Sequence, residues 1–183
     1  DGSRDSTNDA VEKAAVQNAF NSWHNLGGTR AQVAAFTDLP ANQFGAGDDN
    51  TNKVFWVDDN SWQYSRATLG VTTPLYYTTG EIFDADIVFN GRDYSWRTGN
   101  GNYCSNCTDI FSIAVHEEGH FFGLDHSCGP NSSSAGDSCG SGTAGQTKRD
   151  AVMFAAYPGY PKQAQNSDDI DGLPYDDPDS WTT

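Results

Sequence analysis

The first regular feature along the chain is a row of apolar residues at every fourth position within residues 7–28. This spacing predicts an α-helix, because side chains four positions apart lie on one face of a helix. Thr7 or Asn8 can cap its start, and Gly27-Gly28 can end it. The residues of the row are Val11, Ala15, Ala19 and Trp23.

Strand patterns follow this helix. Residues 53–59 predict a strand bounded by Asp and Asn turn residues, and residues 31–36 predict a shorter one. Residues 67–90 predict two further strands joined around Thr79-Gly80. In the second of these two strands, apolar residues alternate with largely polar ones, which predicts one apolar and one polar face.

The second half of the chain predicts helices separated by a long loop. Thr108 or Asp109 can cap a helix over residues 109–123. The segment 127–150 is rich in Gly and Ser, and we expect it to be a loop.

A last short helix is predicted to begin at Ser167 or Asp168. The order of elements is helix, strands, helix, loop and helix, without an internal repeat or a domain-scale linker. We therefore expect a single α+β domain over residues 1–183.

Acidic residues dominate the charge of the chain. Asp and Glu total 25 against 10 Lys and Arg, and the net charge of −15 argues against nucleic acid or an anionic membrane as partner. The aromatic content of 13% favours a packed globule over an acidic disordered chain. The pairs Asp48-Asp49 and Asp58-Asp59 could hold Ca²⁺, although a solvated acidic surface explains them more simply.

The four cysteines indicate an exported protein. They are Cys104, Cys107, Cys128 and Cys139, and an even number in a Gly/Asn/Ser-rich chain is typical of disulfides. The sequence contains neither a signal peptide nor an apolar run of 18 residues. We therefore expect a secreted, processed form from which a leader, with or without a pro-segment, has been removed.

Two arrangements of these cysteines compete. Cys104 and Cys107 have the spacing of a zinc knuckle, but Cys128 and Cys139 lack the matching second pair. Local disulfides Cys104–Cys107 and Cys128–Cys139 are favoured over crossed pairings. The two pairs flank opposite ends of the second predicted helix, which is roughly 20 Å long at ~1.5 Å per residue, too far for one disulfide.

Three of the four histidines fall within residues 116–127. His116 and His120 are four apart, so both rings lie on one face of the predicted helix. Gly123 can end the helix with a positive φ, and His126 can then turn back towards the same point. Three imidazoles leave the fourth tetrahedral position of a zinc ion open, which is typical of catalytic sites.

Two glutamates lie between the first two histidines. Glu117 can take a proton from a water that zinc has made acidic, and pass it to the leaving amine of a peptide bond. Glu118 turns away from the histidines, and we expect it either to support the site or to face solvent. The alternatives are a histidine-bearing helix without metal and a structural zinc that happens to adjoin a glutamate.

The extended motif HExxHxxGxxH resembles the signature of the metzincin zinc peptidases. Met153, the single methionine of the chain, lies downstream as in the methionine turn of that superfamily. Ser127 after the third histidine resembles the matrixin branch, and so do the segments AVMFAAYP and NSDDIDGLPY. The motif residues are His116, Glu117, His120, Gly123 and His126.

The resemblance covers most of the chain, includes bacterial matrixin-like proteins, and is most specific over residues 109–175. It implies a twisted, mostly parallel sheet with an antiparallel edge strand, an active-site helix, a methionine turn and a C-terminal helix. Because only His24 remains outside the motif, it implies one catalytic zinc and no structural zinc. Ala155 stands where sister branches place a metal-contacting tyrosine, so that role is not expected here.

The resemblance also implies a substrate cleft. An extended peptide would pair with the segment ATLGVTTP, nearest to Leu69, Gly70 and Val71. The pocket that follows the scissile bond would be walled by residues of the methionine-turn region. These are Tyr157, Pro158, Gly159 and Tyr160.

The leading hypothesis is a secreted, monomeric zinc endopeptidase that acts on proteins or peptides. A second hypothesis is a binding protein that keeps the fold without turnover, against which the intact Glu117 and histidines argue. A third is an esterase or another hydrolase that uses the same activated water.

Overall fold

The computed structural model describes residues 9–26, 36–40, 45–98, 107–129 and 138–173. These residues form four helices and five strands. The α+β arrangement of these elements agrees with the prediction. In chain order they are α1 Asp9–His24, β1 Val54–Val57, β2 Gly70–Tyr76, β3 Ile82–Asn90, β4 Ser95–Arg97, β5 Cys107–Asp109, α2 Ile110–Phe121, α3 Gly142–Asp150 and α4 Ser167–Asp171.

Strand β3 is the centre of a mixed three-stranded sheet with the order β1-β3-β2. β1 pairs with it in parallel, and β2 pairs with it antiparallel, with Gly70 opposite Phe89. The antiparallel strand therefore lies at the edge of the described sheet. The turn after β2 contains Gly80 at a φ of 88°, where the sequence predicts it. A separate parallel pair, β4 with β5, was not predicted.

Helix α1 packs on α2 through the predicted row. Ala19 and Trp23 are fully buried, and the Trp23 indole N–H donates a hydrogen bond to the Val115 carbonyl at 2.9 Å. Phe20 adds edge-on contacts to Phe121 and Phe122. Val11, near the start of the row, is 46% exposed, so the expected buried face covers only part of the helix.

The predicted polar face of β3 is buried. Asp84 and Asp86 are 1% and 3% exposed. The segment 45–53 covers them and supplies backbone donors: Gly47 and Lys53 donate to the Asp86 carboxylate at 2.7 and 2.9 Å. This buried face of β3 carries acceptor side chains rather than apolar ones, because the covering segment brings backbone N–H groups that need hydrogen-bond acceptors.

The same segment contains Asp49, one of the acidic residues that could hold Ca²⁺. Its carboxylate accepts a hydrogen bond from the buried Lys53 ammonium at 2.6 Å, so a lysine supplies the positive charge there. Asp58 and Asp59 are exposed. Calcium binding at either predicted pair stays a prediction.

Helix α3 lies inside the segment 127–150 that was expected to be a loop. Its glycines lower helix propensity, but Gly145 fits against the chain where a Cβ would approach the Cys139 carbonyl to 2.7 Å. The Lys162 ammonium also donates to the Arg149 carbonyl at its C-terminal end. Tertiary contacts therefore override the local sequence preference.

Two further expectations concern ends of elements. α4 begins at Ser167 with Asn166 as its cap. Most of the predicted strand 31–36 lies outside the described residues, and Phe36 is not in a strand. No helix within the described ranges is long and apolar enough to cross a membrane.

Candidate metal centre

Helix α2 presents two histidines on one face. Asp109 caps the helix by accepting a hydrogen bond from the Ser112 N–H at 2.9 Å. The four-residue spacing of His116 and His120 places their ring centroids 5.0 Å apart. Both rings are partly buried.

The helix ends where a third histidine can return. Gly123 has a φ of 92°, a conformation that other residues rarely adopt. The Leu124 N–H donates to the Gly119 carbonyl at 2.9 Å and closes the turn. The Nε2 atom of His126 consequently lies 3.2 Å from the Nε2 atoms of both His116 and His120.

The ring orientations of these histidines fit a metal ion. The Nδ1 atoms of His116 and His120 lie 2.7 and 2.6 Å from the carbonyl oxygens of Val152 and Leu124, so each carries a hydrogen and donates it. Their Nε2 atoms then hold lone pairs that face His126 Nε2. Zinc–nitrogen bonds of about 2.0–2.1 Å in tetrahedral geometry would place ligand nitrogens about 3.3 Å apart, close to these separations.

The protonation state of the histidines suits the same purpose. Burial lowers the pKa of His116 to about 3, and the neighbouring His120 adds to this shift. Burial also lowers the pKa of His120. Both rings are therefore neutral near neutral pH, the form in which imidazole binds a metal. Elsewhere in the described residues, no other set of three His, Cys, Asp or Glu side chains converges in this way.

Met153 packs against α2 at Gly119, which lies between the first two histidines in sequence. It is 1% exposed, and its sulfur fills the space above Gly119, where a Cβ would lie 2.1 Å away. A glycine is therefore required between the histidines for the methionine to approach the helix this closely.

The Asp169 carboxylate binds the backbone at this methionine and at the residue before it. It accepts hydrogen bonds from the Val152 and Met153 N–H groups, each at 3.0 Å, and from the Asn166 N–H at 2.8 Å. The Val152 carbonyl in turn orients His116. Helix α4 thus fixes a histidine ring through two hydrogen bonds in series.

Glu117 lies beside the histidines and is 4% exposed. The Thr72 hydroxyl on β2 is 2.7 Å from its Oε2 and 2.8 Å from its carbonyl oxygen. Burial raises the pKa of Glu117 to about 7, while the hydrogen bonds from Thr72 work in the opposite direction.

The comparison with known families agrees with this arrangement. The family model described as Matrixin matches residues 2–134, which include all three histidines. The chain belongs to the matrixin family. This matrixin is 28% identical to matrix metalloproteinase-16 of Rattus norvegicus and of Homo sapiens over 122 residues. That stretch is 67% of this chain and 19% of each relative, so the chain spans about a fifth of their length.

Glu118 of the matrixin does not face solvent, which corrects one of the two expectations for it. Its side chain is fully buried, and neither carboxyl oxygen has a hydrogen-bond partner among the described residues. Burial raises the pKa of Glu118 well above its usual range, and the negative charge of Glu117 raises it further.

The segment after the third histidine is tied down at two points. The Ser127 N–H donates to the Met153 carbonyl at 2.9 Å, and its hydroxyl donates to the Lys148 carbonyl at 2.8 Å. Cys128 forms the predicted disulfide with Cys139. Cys107 is also disulfide-bonded, and its predicted partner Cys104 lies outside the described residues.

A cleft of about 990 Å³ runs along the histidines and Glu117. The predicted substrate residues that line it are Leu69, Gly70, Val71, Tyr157 and Pro158. Gly159 and Tyr160 are exposed and are not among the residues that line this cleft.

Sequence reasoning missed two residues of the matrixin site, Thr72 and Asp169. Thr72 lies on the predicted substrate strand, two positions after Gly70, but its partner is 45 positions away in sequence. Asp169 falls in the segment NSDDIDGL, where an Asn cap followed by Asp three positions later predicts a helix start. That pattern could have drawn attention to Asp169, although not to its contact with Met153.

Proposed function

We propose that this matrixin is a secreted zinc endopeptidase in which His116, His120 and His126 hold one zinc ion. The observation that carries the proposal is the convergence of the three ring nitrogens, at 3.2 Å, beside the buried Glu117. Matrixins bind zinc, and a neutral three-histidine set with an open side suits a catalytic ion. When bound, zinc supplies Lewis-acid chemistry that polarises a peptide carbonyl and makes water more acidic.

Glu117 is the general base of the proposed reaction. It takes a proton from the attacking water and gives it to the leaving amine as the peptide bond breaks. Its pKa of about 7 suits a group that must both accept and return a proton near neutral pH.

Strand β2 is the proposed partner of the substrate backbone. It is the edge strand of the described sheet, and its residues Gly70 and Val71, together with the preceding Leu69, line the cleft next to Glu117. An extended peptide that pairs with such an edge gains affinity from main-chain hydrogen bonds. Tyr157 and Pro158 also line the cleft, and we expect them to contact a substrate side chain.

Secretion and a single domain over residues 1–183 are further parts of the proposal. The Cys128–Cys139 disulfide supports an oxidising compartment. A pro-segment, calcium and a monomeric state remain predictions, as do any properties of the longer relatives.

The decisive experiment is a proteolysis assay on zinc-loaded protein, its chelator-treated form and Glu117→Gln. We expect chelation to abolish cleavage and added zinc to restore it. Glu117→Gln should reduce kcat by at least about 100-fold, because it removes the general base. Glu81→Gln, at an exposed position, is the matched control and should cleave normally.

The other hypotheses give different results. An inactive binding protein would take up about one zinc per chain and bind peptides, but would cleave none at any zinc loading. An esterase would hydrolyse ester substrates and leave the matching peptides intact. Full activity of Glu117→Gln would refute the assigned mechanism even if the protein cleaves peptides.

A further inference from the structure

One hydroxyl group joins the proposed substrate strand to the proposed general base. Thr72 Oγ1 on β2 lies 2.7 Å from Oε2 of Glu117 and 2.8 Å from the carbonyl oxygen of the same residue. It is the contact by which the edge strand holds the Glu117 carboxyl group directly.

Gly70 provides the space for this contact. Gly70 and Thr72 are two positions apart and therefore face the same side of the strand. A Cβ at Gly70 would lie 2.7 Å from Oε1 and 2.8 Å from Cγ of Glu117. The Glu117 side chain thus lies directly over the strand. It occupies the space that a side chain at position 70 would otherwise fill.

The Thr72 hydroxyl has two acceptors within hydrogen-bond distance, and both belong to Glu117. A hydroxyl has one hydrogen to donate, and it can turn to either oxygen. Thr72 therefore contacts Glu117 whichever of the two oxygens takes the hydrogen.

We propose that Thr72 is a positioning residue that holds the Glu117 carboxyl group in one place against β2. The inference rests on the proposed function, because it concerns the residue assigned as general base. Thr72 also hydrogen-bonds the base to the strand on which a substrate would lie. The same strand therefore positions both the substrate and the base.

The test compares Thr72→Val, which keeps the shape but removes the hydroxyl, with Thr72→Ser, which keeps the hydroxyl. We expect Thr72→Val to lower kcat by roughly 10- to 100-fold, since a misplacement of about 1 Å can cost that much. KM for a peptide substrate and the zinc content should stay close to wild type. Thr72→Ser should recover most of kcat.

Thr79→Val is the matched control, because Thr79 is an exposed threonine in the turn after β2, outside the segment proposed to pair with substrate. It should behave as wild type. A second readout is independent of turnover: crystal structures of wild type and Thr72→Val should show the Glu117 carboxyl group displaced only in the variant.

The outcomes separate the two proposals. If wild type cleaves no peptide, the proposed function fails, and the crystal structures still decide whether Thr72 positions Glu117. If wild type cleaves peptides, the inference is overturned when Thr72→Val keeps its kcat. It is also overturned when Thr72→Ser loses as much activity as Thr72→Val, or when Glu117 stays in place without the hydroxyl.

Discussion

Two buried carboxyl groups flank the histidine site, and they differ in how they are paired. Asp169 on α4 is 1% exposed and accepts three backbone hydrogen bonds, from Val152, Met153 and Asn166. Glu118 on α2 is fully buried, and within the described part of the chain neither of its oxygens has a hydrogen-bond partner. The two carboxyl groups are therefore buried to nearly the same extent but differ in whether their oxygens accept hydrogen bonds.

The difference separates a stabilising carboxyl group from a destabilising one. Burial raises the pKa of both groups, but at Asp169 the backbone donors oppose the shift, whereas at Glu118 the charge of Glu117 increases it. A buried charge is tolerated when donors replace its lost water. We therefore expect Asp169 to stabilise the fold and orient the site, and Glu118 to weaken the fold without touching the histidines.

The largest effect is expected for Asp169→Ala. The change leaves three buried N–H groups without acceptors, and the free energy of unfolding should fall by about 3–5 kcal/mol. Zinc affinity should fall by roughly 10- to 100-fold, because Val152, which orients His116, loses its anchor. Urea unfolding and a competitive zinc titration measure the two effects. Asp171→Asn, on the exposed side of α4, is the control. Unchanged zinc affinity in a folded Asp169→Ala would break the proposed link to His116.

Glu118→Met should change stability in the opposite direction. An apolar side chain of similar shape removes the unpaired carboxyl group, and we expect a gain of about 1–4 kcal/mol near neutral pH. Because the folded-state pKa is raised above the usual value of 4.5, wild type loses stability as the pH rises through that value and above. The gain from Glu118→Met should therefore grow with pH.

Urea unfolding of both proteins from about pH 5 to 8 measures this pH dependence. The difference between them isolates Glu118, since the histidines titrate in both. A loss of stability in Glu118→Met at every pH would mean that the carboxyl group has a stabilising partner, and would remove the contrast with Asp169.

A carboxyl group far from the site extends the comparison. Asp86 on β3 accepts hydrogen bonds from Gly47 and Lys53, and like Asp169 it should stabilise the fold. Asp86→Asn should lower the free energy of unfolding by about 1–3 kcal/mol, because an amide has only one acceptor oxygen for two donors. Zinc affinity should not change. A fall in zinc affinity as large as that of Asp169→Ala would show that general loosening, rather than the contact with Val152, explains both.

The sequence predicts the convergence of the three histidines because these residues are close together in the chain. His116 and His120 are related by the helical repeat, and Gly123 ends the helix at a position where His126 can return. The turn at Gly80 lies between two strands that the sequence predicts, whereas the antiparallel edge strand is expected only from the resemblance to the matrixins. The histidines and Gly123 all lie within residues 116–126.

The sequence does not predict the contacts that join distant segments. Thr72 meets Glu117 across 45 positions, and Asp169 meets Met153 across 16. Helix α3 was missed because its glycines disfavour a helix, whereas the neighbouring chain stabilises it. The burial of Asp84 was missed because no local pattern shows that residues 45–53 cover β3. Of the two expectations for Glu118, the solvent-facing one is wrong, because helical geometry gives the direction of a side chain but not what packs there.

The smallest effect is expected for Ser127→Ala, which tests how finely hydrogen bonding is graded around the site. Its hydroxyl donates to the Lys148 carbonyl near the end of α3, so the substitution removes one neutral hydrogen bond and should cost about 1 kcal/mol. The Ser127 N–H bond to Met153 belongs to the backbone and remains. Zinc affinity should consequently stay within about threefold of wild type, far less than the loss predicted for an orienting contact. Ser141→Ala, where the serine side chain makes no capping hydrogen bond to α3, is the matched control. If Ser127→Ala instead weakened zinc as strongly as Asp169→Ala, the hydroxyl would have to act on His126, and the orientation of the site would depend on α3 as much as on α4.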